Sequence, residues 1–204
     1  MEFFLSVFIF SASATITPGP NNIMLMTSGL NFGALRTLPH YLGVCLGFPV
    51  MVVLIGLGFG FLFERFPLLH QIIQIIGIAY LLYLAWLIAN AAPSALNAEQ
   101  VKPLSFLQAV LFQWVNPKAW IMATGAVAAF TSGNTDIFIQ VLFIALIFLL
   151  VTFPGSGIWL FFGVWLKKLF KEPSHQKVFN ISMAILLVLS ILPSIYDLIN
   201  TLIA

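Results

Sequence analysis

Six apolar runs, each near the length of a membrane-crossing helix, take up most of this chain: residues 3–28, 41–63, 69–91, 106–130, 137–165 and 178–199. A run of about 20 apolar residues crosses a hydrocarbon core ~30 Å thick as a helix. Barrel strands would show short alternation of period two, which these runs lack. Composition agrees, since 61% of residues are hydrophobic and 7% charged, leaving too little polar surface to coat a globule in water. The chain reads as an all-α integral membrane protein, one transmembrane domain over residues 1–204. The net charge of +2 does not point to a nucleic-acid partner. Residue 2 is Glu, and no cleavage site precedes a polar mature domain, so the first run is read as a retained span. The lone Cys45 cannot form an internal disulfide and is read as packing. No cofactor or metal site is expected, and the composition allows a homo-oligomer.

Two of the six runs carry residues that oppose a continuous helix in lipid. The first holds Thr17-Pro18-Gly19-Pro20-Asn21-Asn22 and the fourth Asn116-Pro117-Lys118, nearly half the chain apart. Proline removes a backbone donor and clashes with the preceding turn, while Asn and Lys need polar partners that hydrocarbon lacks. A lysine at mid-bilayer costs roughly 2.5 to 3.5 kcal/mol on insertion scales, and each unpaired backbone group several more. Interrupted apolar segments at corresponding places in two halves mark the midplane site of a transporter.

The expected architecture is a 3+3 inverted repeat, with half-repeats of about 1–92 and 104–204 and with interrupted helices 1 and 4. An odd number of spans per half forces the second half to enter the membrane in the opposite sense. Loops one, three and five hold Arg36, Lys102, Lys167, Lys168, Lys171 and Lys177, whereas the other side holds only Arg65. The positive-inside rule makes those three loops cytoplasmic and puts both termini outside. The longest polar pieces are residues 93–105, dividing the halves, and 167–177.

At 1.5 Å per residue, Pro18 lies ~22 Å from an outer start at Phe3 and Asn116 ~15 Å from an inner start at Phe106, so the two breaks meet near the centre. A helix interrupted there presents carbonyls at one new end and N–H groups at the other, a receptor for a zwitterion. The expected pose sets a substrate carboxylate at the new N-terminus near Asn21 and Asn22, beside the Lys118 ammonium, with its amino group against freed carbonyls and Asn116. Lys118 also has a structural reading, as a cap on carbonyls freed by Pro117. Ser13, Thr17 and Asn21 recur at i, i+4, i+8, and Gln113 with Asn116 at i, i+3, as polar stripes whose alternative is helix–helix hydrogen bonding. In the fifth run, Thr152-Phe153-Pro154-Gly155-Ser156-Gly157 suggests a third interruption that turns Thr152 and Ser156 towards the same cavity. The substrate-binding candidates are therefore Thr17, Pro18, Gly19, Pro20, Asn21, Asn22, Asn116, Pro117, Lys118, Thr152 and Ser156. Gly43 with Gly47, and Gly56 with Gly60, have the small-xxx-small spacing of close helix packing, and Trp86 and Trp165 read as interface anchors. All six acids, Glu2, Glu64, Glu99, Asp136, Glu172 and Asp197, and the three histidines, His40, His70 and His175, fall at or near span ends. Lys118 is thus the one mid-membrane titratable candidate for coupling to protons. With no nucleophile elbow and no catalytic residues recognised, the chain is not read as an enzyme.

These motifs resemble the LysE/RhtB family of bacterial amino-acid exporters. The similarity is carried by Thr17-Pro18-Gly19-Pro20-Asn21-Asn22, Gly33 and Arg36, Gly43 and Gly47, the segment from Gly77 to Trp86, and Asn116-Pro117-Lys118. It implies a bacterial inner-membrane exporter of small neutral amino acids or derivatives that works by alternating access, with an amino-acid substrate and the bilayer as its partners. The wording of the first break and the Thr-Phe segment of the fifth run look most similar to the branch that exports cysteine and O-acetylserine. Many relatives carry an acid in span five where this chain has Thr152 and Ser156, which disfavours cationic substrates. The alternative reading is a transporter or channel for metal ions or other small solutes.

Overall fold

The computed structural model describes residues 2–59, 61, 65–91, 102–132, 136–170 and 172–203. Linker residues 92–101, Gly60, Glu64, Glu99 and Lys171 lie outside the described residues. Within them the chain forms α1 (Glu2–Ile16), α2 (Pro20–Phe32), α3 (Ala34–Leu54) running on into a π turn (Ile55–Phe59), and α4 (Pro67–Ala89). The second half supplies α5 (Phe106–Val115), α6 (Pro117–Phe130), α7 (Ile137–Leu169) and α8 (Pro173–Ile203), and no described residue is in a strand. Four helical stretches are long and apolar enough to cross a membrane: Ala34–Phe59, Gln71–Ala89, Ile137–Leu169 and Pro173–Thr201. A fifth follows if α1 and α2, bent by 52° at their break, are one span. The protein is a multi-pass helical membrane protein. α5 and α6, of 10 and 14 residues, are each too short to cross alone.

The helix boundaries follow local chemistry. Pro20, Pro67 and Pro117 open α2, α4 and α6 at the first helical position, where a missing N–H deprives no intrahelical bond. α5 opens with a capping box: the Gln108 N–H donates to Ser105 Oγ at 3.3 Å, and the Ser105 N–H to Gln108 Oε1 at 2.9 Å. Asp136 caps α7 by accepting from the Phe138 N–H at 2.8 Å.

Three expectations change. The first loop shrinks to Gly33, whose φ of 81° turns the chain in one residue, so Arg36 and His40 lie in α3. The fifth loop also shortens, because α7 reaches Leu169 and places Lys167 and Lys168 in its last turn, where cations complement the helix terminus. The third interruption does not occur: α7 continues through Pro154, as α3 does through Pro39 and Pro49 and α8 through Pro193. A proline is tolerated inside a membrane helix where the freed backbone group finds another partner; beside Pro154, the Tyr41 hydroxyl ties α3 to α7 by donating to the Phe153 carbonyl at 2.6 Å.

Small residues set how closely the helices approach, as expected where apolar surface alone gives no reason to associate. A Cβ on Gly29 would strike the Leu160 carbonyl, and one on Gly163 the Met26 carbonyl, so α2 and α7 interlock at backbone distance. Gly43 and Gly47 do the same for α3 against Phe106, Ala109 and Val110 of α5. Gly77 seats α4 on the Val115 carbonyl, 2.6 Å from where its Cβ would stand, and Gly56 faces the Val141 side chain. One core gathers Val7, Phe48, Met51, Ala123 and Phe148 from α1, α3, α6 and α7; another joins α4 and α8 through Leu81, Leu84, Leu187 and Ile191. Trp86 and Trp165 stand on the exterior, stacked on Tyr83 and Phe162.

Candidate functional site

Ending α1 before Pro18 strips its last carbonyls of intrahelical donors. Each has a replacement. The Thr17 N–H donates to the Ser13 carbonyl at 3.2 Å and the Thr17 hydroxyl to that of Ala14 at 2.8 Å. The Trp159 indole N–H of α7 reaches the Ile16 carbonyl at 3.1 Å. The Asn22 amide folds back from α2 to the Thr15 and Thr17 carbonyls at 2.7 and 2.9 Å. The Lys118 ammonium completes the set, donating to Thr17 Oγ1 at 2.7 Å, the Thr17 carbonyl at 2.8 Å and the Pro18 carbonyl at 3.3 Å.

The second break aims that lysine. Asn116 is at once the C-cap of α5 and the N-cap of α6, with φ −88° and ψ 108°, and its side-chain oxygen accepts the Lys118 N–H at 3.2 Å. With Pro117 opening α6, Lys118 is the second helical residue and crosses to the first break. It passes over Gly19, where a Cβ would stand 2.6 Å from Lys118 Cδ and 3.2 Å from Nζ. The breaks are also tied by a reciprocal amide pair: Asn21 donates to Gln113 at 2.8 Å and Gln113 to Asn21 at 3.3 Å, while Gln113 donates again to the Ala109 carbonyl.

Between these groups lies a small cavity of about 30 Å³. Of the residues singled out from sequence, Gly19, Asn21, Asn22, Asn116, Lys118, Thr152 and Ser156 line it. Thr17 and Pro18 join through their bonds to Lys118. Pro20 opens α2, and Pro117 lines a separate groove with Trp114 and Trp120. The start of α2 carries no side-chain cap and faces the cavity through Gly19, Asn21 and Asn22. Lys118 is the single titratable side chain among the lining residues.

Some readings from spacing fail here for a physical reason. The stripe Ser13, Thr17, Asn21 presumes one unbroken helix, and the 52° bend destroys its register: Ser13 is exposed and bonds back to the Phe10 carbonyl. Lys118 does not cap carbonyls freed by Pro117; it serves those of the other break. Thr15 and Trp159 escaped notice. Trp159 continues the Thr152, Ser156 face at i+7, a signal present in the sequence, whereas nothing in spacing separates Thr15 from its neighbouring hydroxyls. His40, expected at a span end, is fully buried, with Nδ1 3.4 Å from Ser28 Oγ.

The LysE type translocator family model matches residues 12–191, which include both breaks and the residues that line the cavity. The chain belongs to the LysE-type translocator family. The translocator is also 30% identical over 174 residues to the cysteine/O-acetylserine efflux proteins of Escherichia coli K12, Shigella flexneri and Shigella sonnei, covering 85% of this chain and 87% of each relative. No solved structure gives a significant match to the translocator.

Proposed function

We propose that this translocator exports small neutral amino acids or their derivatives, of the cysteine and O-acetylserine kind, across the bacterial inner membrane by alternating access around the cavity between its two breaks. The observation that carries this reading is the reach of Lys118 from one break to the carbonyls of the other, 2.8 Å at Thr17 and 3.3 Å at Pro18. The Lys118 ammonium lies on those carbonyls. A zwitterion entering the cavity brings its own ammonium, which takes over the Thr17 and Pro18 oxygens, while its carboxylate meets the uncapped start of α2 and draws Lys118 onto itself. Charge is conserved by the exchange, so a neutral amino acid enters without leaving an unpaired ion in a low-dielectric site. Asn116 and Asn22 hold the broken ends in register. Lys118 is also where proton coupling through this site would act.

The same reading takes α1 with α2, and α5 with α6, as spans one and four of six, in inverted halves that place both termini outside. Tight packing of α2 on α7, against the slighter packing of α6 on α3, supports a state closed on one side of the cavity. A fixed ammonium at the centre opposes metal cations, so the metal-ion alternative has no supporting observation here. The test is efflux of a labelled amino-acid panel from cells overproducing the protein, with and without a proton uncoupler. Small neutral amino acids leave faster than from control cells, and lysine does not; no accelerated efflux of any amino acid refutes the reading. The uncoupler arm separates proton-coupled from uncoupled export.

A further inference from the structure

Many hydroxyls in these apolar helices bond back to a carbonyl of the preceding turn, the ordinary fate of Ser and Thr where no other partner exists. On α1 and just past its end, Ser11 bonds to Phe8, Ser13 to Phe10 and Thr17 to Ala14; Thr27, Ser182 and Ser190 do likewise elsewhere. Thr15 and Thr152 depart from this. Each is buried, at 6% and 3% exposure, and each Oγ1 has no hydrogen-bond partner. Both line the cavity, from α1 and α7. Thr37, a third buried hydroxyl without a partner, lies elsewhere and is not part of this set. A buried hydroxyl left unpaired costs roughly 1 to 3 kcal/mol, and a back-bond one turn away would have removed it. Packing explains how Thr15 is held: its methyl lies 2.7 Å from the place a Gly155 Cβ would take, so the absence of that Cβ lets α1 settle on α7 between Thr152 and Ser156. Val44, Phe48 and Met122 add apolar surface to the same lining.

We propose that Thr15 and Thr152, with Ser156 one turn further along α7, form the side-chain subsite of the translocator, selecting amino acids whose short side chain carries a hydrogen-bonding atom over apolar isosteres. The subsite deepens the amino-acid reading above and depends on it. A hydroxyl, thiol or ester oxygen offers the threonine hydroxyls a hydrogen-bond partner, whereas a methyl in its place offers none. The apolar groups of the lining, Val44, Phe48 and Met122, admit a short carbon chain.

The test reconstitutes the full chain in lipid vesicles and compares transport of labelled serine with that of 2-aminobutyrate, its isostere with a methyl for the hydroxyl. The wild type prefers serine by roughly tenfold or more. The shape-conserving Thr15→Val and Thr152→Val each abolish most of that preference by lowering serine transport while sparing 2-aminobutyrate. Thr15→Ser, which keeps the hydroxyl, retains the preference and stands in should Thr15→Val fold poorly. An unchanged preference in both valine variants, or an equal loss for both substrates, overturns the subsite. If that happens while Lys118→Ala abolishes transport of both, only the subsite falls; transport of neither by the wild type overturns the subsite and the amino-acid reading together.

Discussion

Gly19 is where one atom decides whether Lys118 can reach across. Its φ of 178° and ψ of 176° are extended and open to any residue, so conformational freedom does not explain the glycine. Space does: a Cβ would stand 2.6 Å from Lys118 Cδ. Gly19→Ala is therefore expected to displace the flexible end of Lys118 from Thr17 and Pro18 with little effect on the fold. Efflux falls tenfold or more while folded yield, read by size-exclusion chromatography in detergent, stays near wild type; unchanged efflux contradicts that contact's role. At this scale the costly residues were legible, because Pro18, Asn116 and Lys118 oppose a membrane helix on chemistry alone. Thr15 and Trp159 were not, because their importance lies in partners they lack or find on other helices. Trp159 meets Ile16 from 143 positions away.

At the scale of helices, apolar run length located the elements but misjudged what interrupts them. Pro18 ends α1 and Pro117 opens α6, yet Pro154 leaves α7 continuous. At the first break two prolines flank a glycine and precede two asparagines, whereas Pro154 is the single proline within α7. Loops one and five look polar in sequence but contribute helical turns, since a single positive φ at Gly33 suffices to reverse the chain. Small residues then fix helix spacing, and their effect is separable by site. Gly163→Ala puts a methyl into the Met26 backbone, while Gly125→Ala meets only Phe10 Cζ at 4.0 Å. Overpacking of the first kind costs about 1 to 3 kcal/mol. Thermal melting in detergent should show Gly163→Ala clearly destabilised and Gly125→Ala near wild type; equal melting temperatures contradict the close α2–α7 approach.

Across the whole molecule, the proposed inverted repeat pairs α1 to α4 with α5 to α8. Exchange of the halves turns the packing of α1 on α7 into that of α5 on α3, and both are extensive; α3 on α7 and α4 on α8 map onto themselves. The largest departure from this exchange is α2 on α7 against α6 on α3; in the alternating-access reading proposed above, the half-helices beyond the breaks are the parts that move. Such asymmetry lay beyond the sequence, because hydropathy records each span's contact with lipid and not which neighbour it touches in a given state. The meeting of the two breaks carries the whole account, and Lys118 is its contact. Transport of a labelled neutral amino acid into vesicles holding purified Lys118→Ala, matched to wild type for folded protein, tests it most directly. The account predicts loss of nearly all carrier-dependent flux; flux within twofold of wild type would contradict it.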